Sequence, residues 1–253
     1  MGKVKNMNQI KNVFQSKIMF GMIITLLVSF LCLLVMAVIM FVFAAVSENV
    51  YFSFGLDDVP YETKLNQSKL LITAIAVADI CIAAVKITEL CATYSIYKKY
   101  PKSTGFNIIK ITSIVMSVIC SLIFAFLFVG AFISAVQSGE GYKLASFRAM
   151  MLPAIIMFFP TLKFISLSVT VSSIKKQVTN GVLLLMISTA VLTAGYFIVA
   201  TDIIINITKY YGIISINMAL ILVVFGVVDL FIFIMTNRYM KIQIDEYRLQ
   251  KKN

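Results

Sequence analysis

The chain has 253 residues, of which 60% are hydrophobic and 13% charged, and its mean hydropathy is +0.97. This composition excludes an ordinary soluble globular domain and is typical of a chain with several membrane spans. The basic excess, 22 Lys and Arg against 11 Asp and Glu, lies mostly in short segments between apolar runs. It therefore indicates membrane topology and excludes nucleic acid as a partner.

The residue types that are absent exclude several chemistries. There is no histidine, which removes zinc- and histidine-dependent intramembrane hydrolases and histidine-ligated metals or haem. The chain contains no GxxxxGK[ST] nucleotide-binding loop and no GxGD motif of an intramembrane aspartyl protease. The four cysteines lie inside apolar runs without metal-binding spacing: Cys32, Cys81, Cys91 and Cys120. We expect no enzymatic activity, no metal and no cofactor.

Residues 1–18 form a polar, lysine-rich segment in which Ile10, Val13 and Phe14 recur at helical spacing. This pattern predicts a cytoplasmic amphipathic segment, with a helix on the membrane surface as one arrangement. The first predicted span covers residues 19–46. A cleaved signal peptide is the alternative, but the run is about twice as long as a normal signal-peptide core.

The longest predicted loop, residues 47–69, is acidic and rich in aromatic side chains. The second predicted span covers residues 70–97 and ends at a basic turn that contains Pro101. The third covers residues 107–136, where Ser113, Ser117, Ser121 and Ala125 form a ridge of small residues that favours close helix packing.

The fourth predicted span, residues 149–174, is broken by Pro153 and Pro160, which we expect to kink the helix. The fifth covers residues 181–205 and the sixth residues 213–236. A charged cytoplasmic tail, residues 237–253, completes the chain.

These elements predict an all-α, polytopic membrane protein with six transmembrane helices arranged as three hairpins. If the amino terminus is cytoplasmic, 15 basic residues lie on the cytoplasmic side and five outside. The positive-inside rule then places both termini in the cytoplasm. The Ile-, Lys- and Asn-rich composition favours a bacterial plasma membrane, with the lipid bilayer as the obligatory partner.

Charged side chains interrupt the second span. Asp79, Lys86, Glu89 and Thr93 lie within roughly 80° of one another on one face of a helix. An ionised side chain near the bilayer centre costs about 2.5 kcal/mol or more, so this stripe must face protein or water.

The fourth and sixth spans carry matching charges. Lys163 heads a second polar stripe with Ser166 and Thr170, and the sixth span contains Asp229 with Thr236 farther along. Lys86 and Lys163 lie about 18 Å, and Glu89 and Asp229 about 14 Å, from the predicted cytoplasmic boundary, near the midplane.

These charges allow three interpretations. They form neutralising pairs, Lys86 with Glu89 and Lys163 with Asp229, that set helix register. Alternatively, Asp79, Lys86, Glu89, Lys163 and Asp229 line a transporter- or channel-like pathway for an ion or small polar solute. In the third interpretation the charges face lipid or a partner membrane subunit that supplies the countercharge. The alternative function is a non-catalytic accessory, assembly or immunity subunit whose acidic loop 47–69 or basic cytoplasmic tail engages a membrane or ATPase partner.

Overall fold

The computed structural model describes residues 10–46, 61–137, 143–176, 180–205 and 213–252. Throughout these ranges the chain is helical apart from short turns. A short helix α1, residues 10–14, precedes six long helices. These are α2 (Lys17–Val46), α3 (Tyr61–Lys99), α4 (Gly105–Gln137), α5 (Lys143–Lys176), α6 (Val182–Ile205) and α7 (Ile213–Lys252).

All six long helices provide a stretch long and apolar enough to cross a membrane. The stretches are Ile10–Val46, Ser68–Lys99, Gly105–Ile133, Met157–Ile174, Val182–Ile205 and Ile214–Asp245. Large apolar side chains such as Leu122, Phe126 and Ile198 are exposed, whereas small ones such as Ala76, Ala92 and Ala131 are fully buried. Large residues outside and small residues between helices are typical of helix packing in lipid. The all-helical prediction is confirmed.

The helices extend beyond several predicted spans. The prediction ended the loop at Lys69 and separated a tail at Asn237, but α3 begins at Tyr61 and α7 continues to Lys252. Hydropathy ends a span where polar residues begin, whereas a helix ends where its backbone hydrogen bonds stop. Pro60 precedes α3, a favourable start signal, and Glu, Gln, Lys and Arg propagate helices well. Most of the loop, residues 47–60, lies outside the described residues.

The chain divides into two compact units. Unit 1 comprises Met1–Phe20, Ala92–Thr193 and Asp229–Asn253, and unit 2 comprises Gly21–Cys91 and Ala194–Val228. The division passes through α2, α3, α6 and α7, so each of these helices contributes a segment to both units.

Unit 2 has a small apolar core. Met40 and Ala44 of α2 pack with Ile72 and Ala76 of α3 and Ile214 of α7. Farther along α7, the Phe225 ring contacts the Tyr196 ring of α6, with 6.0 Å between the ring centroids.

Unit 1 is built around the long contact between α4 and α5. Phenylalanine pairs join them at both Phe124–Phe158 and Phe132–Phe147. Between α5 and α6, Gly181 adopts φ +79°, and a Cβ there would lie 2.9 Å from Cγ1 of Val169. Glycine therefore permits both the left-handed backbone and the close approach of the two helices.

Helix α1 packs against the rest of unit 1 through its apolar side. Ile10, Val13 and Phe14 are buried, and the Phe14 ring lies 4.8 Å from that of Tyr100 and 5.6 Å from that of Phe106. Burial raises the pKa of the Tyr100 phenol to about 12, which keeps it neutral in this aromatic contact. The apolar side predicted for the membrane surface is thus covered by the protein itself.

Candidate functional site

Lys86 and Glu89 form an ion pair one helical turn apart on α3. The distance between Lys86 Nζ and Glu89 Oε2 is 2.7 Å, and the two side chains are 6% and 19% exposed. Lys86 Nζ also lies 5.0 Å from the centroid of the Phe225 ring on α7. A cation within about 6 Å of an aromatic centroid is attracted by the ring, so Phe225 helps hold the buried ammonium group.

Asp79 lies two turns earlier on α3. Its carboxyl group contacts a side chain of α7 and not a lysine or arginine. Asn217 Nδ2 donates a hydrogen bond to Asp79 Oδ2 at 2.9 Å, and both side chains are fully buried. In the described part of unit 2, no Lys or Arg makes an ion pair with Asp79. The contact joins a carboxyl group to a neutral amide.

Unit 1 contains the second buried ion pair. Lys163 of α5 pairs with Asp229 of α7, and their side chains are 9% and 0% exposed. The two residues are 66 positions apart in the chain, so the pair links two helices that are distant in sequence. Removing either charge would leave the other buried without compensation.

Hydroxyl groups near the charges fall into two sets. Most serine and threonine hydroxyls in the described helices donate to a carbonyl three or four residues earlier, as Ser166 does to Lys163 and Thr236 to Ile232. Thr93 and Thr170 are buried, yet their Oγ1 atoms have no hydrogen-bond partner among the described residues. Both threonines belong to the predicted polar stripes.

The two prolines predicted to break the fourth span lie inside one continuous helix. Helix α5 runs from Lys143 to Lys176 through Pro153 and Pro160, so neither proline ends the helix. Neighbouring turns supply enough backbone hydrogen bonds to carry a membrane helix past a proline. A bend at these prolines stays a prediction.

The structure sorts the five predicted charges into two sets. Asp79, Lys86 and Glu89 belong to unit 2, and Lys163 and Asp229 to unit 1. Both ion pairs of the neutralising-pair interpretation are present. That these residues line a pathway stays a prediction.

Two contributors were missed from the sequence, Asn217 and Phe225. Asn217 is an amide within an otherwise apolar run, a feature that could have attracted attention. Phe225 is one of 20 phenylalanines, and nothing in its sequence context distinguishes it.

Within the described ranges, no group of three His, Cys, Asp or Glu side chains could hold a metal ion. No protein-family model, curated protein or solved structure matches the chain. The class of protein therefore follows from the fold alone: six apolar helices are consistent with a multi-pass integral membrane protein in a lipid environment.

Proposed function

We propose that this protein is a transporter- or channel-like membrane protein whose buried charged groups bind an ion or small polar solute. The observation that carries the proposal is unused hydrogen-bonding capacity on the polar stripes. Within the described residues, four buried oxygens on or opposite these stripes have no partner: Oδ1 of Asp79, Oδ1 of Asn217 and Oγ1 of Thr93 and Thr170.

Buried ion pairs whose polar atoms all have partners would be enough for a purely structural role. A buried polar group without a partner costs about 1–3 kcal/mol, and native proteins keep few of them. Two of the oxygens, those of Asp79 and Asn217, belong to unit 2 and two, those of Thr93 and Thr170, to unit 1. Within each unit, buried oxygens that lack a donor favour a ligand that supplies one. We propose a non-enzymatic protein of the bacterial plasma membrane, with both termini in the cytoplasm and helices paired as three hairpins.

The test is flux into proteoliposomes that contain the purified full-length protein. A panel of labelled Na⁺, Rb⁺, Cl⁻, amino acids and sugars, together with protons, is offered to wild type and to Glu89→Gln. We expect the wild type to accumulate at least one of these above empty vesicles, and Glu89→Gln to lose that flux.

Two further variants control this experiment. Asp245→Asn makes the same kind of change at an exposed carboxylate and should transport as wild type does. Glu89→Gln leaves Lys86 without its ion-pair partner. The double variant Lys86→Gln with Glu89→Gln removes both charges and so controls for the effect of an unpaired lysine. If the wild type moves nothing on the panel above empty vesicles, the proposal loses its support.

A non-catalytic subunit with a membrane or ATPase partner is the second candidate. It is favoured by α4, whose apolar stretch is the least buried of the six and exposes Leu122, Phe126 and Val129. Copurification in mild detergent distinguishes the two candidates, because a subunit retains a reproducible partner whereas a self-sufficient transporter is active alone.

A further inference from the structure

Asp79 and Asn217 meet in an apolar environment. Their exposed fractions are 1% and 0%, and a single hydrogen bond of 2.9 Å, from Nδ2 of Asn217 to Oδ2 of Asp79, joins them. Ala76, one turn before Asp79, and Ile214, one turn before Asn217, belong to the buried apolar core of unit 2. Water is excluded from this side of the contact.

Each partner retains one oxygen, Oδ1, that is buried and unpartnered within the described residues. A carboxylate and an amide oxygen are both acceptors, so neither can satisfy the other. A protonated carboxyl group and a primary amide are complementary, because the acid carbonyl accepts from the amide N–H while the acid O–H donates to the amide oxygen. One proton therefore supplies the donor that both oxygens lack.

The charges of unit 2 favour the same conclusion. The ammonium group of Lys86 is engaged by Glu89 and lies seven residues, about 10 Å of helix rise, from Asp79. The other charged residues in its described segments are Glu62, Lys64 and Lys69 in the first turns of α3 and Asp202 on α6. Its α2 and α7 segments carry no charge, and α2 adds only the thiol of Cys32 and α6 the phenol of Tyr196. Among the described residues of unit 2, an ionised Asp79 would be a buried anion without a countercharge, which is costly.

We infer that Asp79 is a proton-binding site: a proton on its Oδ1 is donated to Oδ1 of Asn217, and this proton is the ion that unit 2 takes up and releases. On uptake an O–H bond of a hydronium ion breaks as the O–H bond of Asp79 forms, leaving a water molecule, and release of the proton reverses both changes. Release during transport rests on the proposed function, whereas binding of the proton does not.

Substitution separates a proton site from a merely structural contact. Asp79→Asn places an amide where the protonated acid stood, and two facing amides form the same reciprocal pair of hydrogen bonds. We expect this variant to melt at or above the wild-type temperature, with a melting temperature less dependent on pH. Asp79→Ala and Asn217→Ala leave one partner unsatisfied and should both melt earlier. A melting temperature of Asp79→Asn as low as that of Asp79→Ala would overturn the inference.

Infrared spectroscopy of the full chain in vesicles observes the proton directly. We expect a protonated-carboxyl band at neutral pH that is lost in Asp79→Asn, shifted in Asn217→Ala and unchanged in Asp245→Asn. Absence of the band, or a melting temperature that rises with Na⁺ in wild type but not in Asp79→Asn, would show that the carboxylate is ionised or binds a metal ion, and would overturn the inference.

Proton flux into the same vesicles, driven by an imposed membrane potential and followed with an enclosed pH dye, separates the two proposals. Wild-type flux that falls to the empty-vesicle level in Asp79→Asn supports both. The infrared band without transport of any probe supports the proton site and contradicts the proposed function. Undiminished transport by Asp79→Asn without the band supports the function and overturns the proton site.

Discussion

At the scale of single residues, the most prominent feature of this protein is the burial of charged side chains. Lys163 and Asp229 are almost completely withdrawn from the surface and pair with each other. The attraction between such charges only partly offsets the cost of removing both from water, so a pair of this kind is weak evidence for stability. It is strong evidence that neither charge can be removed singly.

We therefore predict that Asp229→Leu or Lys163→Met alone destabilises the protein by about 3–5 kcal/mol, because one buried charge remains unpaired. The double variant Lys163→Met with Asp229→Leu should be less destabilised than either single variant. Thermal unfolding in detergent measures the three differences, with exposed Asp245→Asn as the control. A double variant that loses as much as the two single losses added together would show that the pair is not coupled.

At the scale of helices, polar contacts and glycine fix the approach of α3 to α4 in unit 1. Ser95 and Ser103 share a hydrogen bond of 2.8 Å, and the backbone N–H of Gly105 donates to Ser103 Oγ at 3.0 Å. A Cβ at Gly105 would lie 2.2 Å from the carbonyl oxygen of Ala92, a backbone atom that cannot rotate away. The first turn of α4 can sit there only without a side chain.

Gly105→Ala should accordingly be strongly destabilising. The cost of the clash should exceed the roughly 1 kcal/mol by which alanine normally stabilises a helix relative to glycine. Gly195→Ala is the matched control, because a Cβ at that position in α6 meets nothing within 4 Å. We expect the first variant to melt well below wild type and the second at or slightly above it. Equal melting temperatures for both variants would refute the close approach.

At the scale of the whole molecule, helix length exceeds membrane thickness. Helices α3 and α7 contain 39 and 40 residues, about 60 Å each, whereas the hydrocarbon core is about 30 Å thick. The charged ends of both helices therefore extend beyond the hydrocarbon. The side of the membrane on which each end emerges is proposed from the positive-inside rule.

Cysteine labelling tests that topology. In a chain whose four cysteines are replaced by serine or alanine, Asn66→Cys, near the start of α3, should react with an impermeant thiol reagent on intact cells. Asn253→Cys, at the end of the chain, should react only after the membrane is permeabilised. Labelling of both positions on intact cells would contradict the proposed orientation.

The sequence alone was sufficient for the number and approximate limits of the membrane helices, because a predominantly apolar stretch of about twenty residues or more is long enough to cross the hydrocarbon as a helix. It also indicated the Lys86–Glu89 pair, whose partners are one turn apart on the same helix. The Lys163–Asp229 pair was anticipated from matched depth alone.

The partner of Asp79 could be identified only from the tertiary structure. Asn217 lies 138 residues away on a helix whose rotation about its own axis is set by packing, and depth along a helix does not specify that rotation. The same holds for Phe225 beneath Lys86 and for the contact of Gly105 with Ala92. Hydropathy determines which residues enter the membrane, whereas side-chain packing between helices determines which of their polar atoms meet.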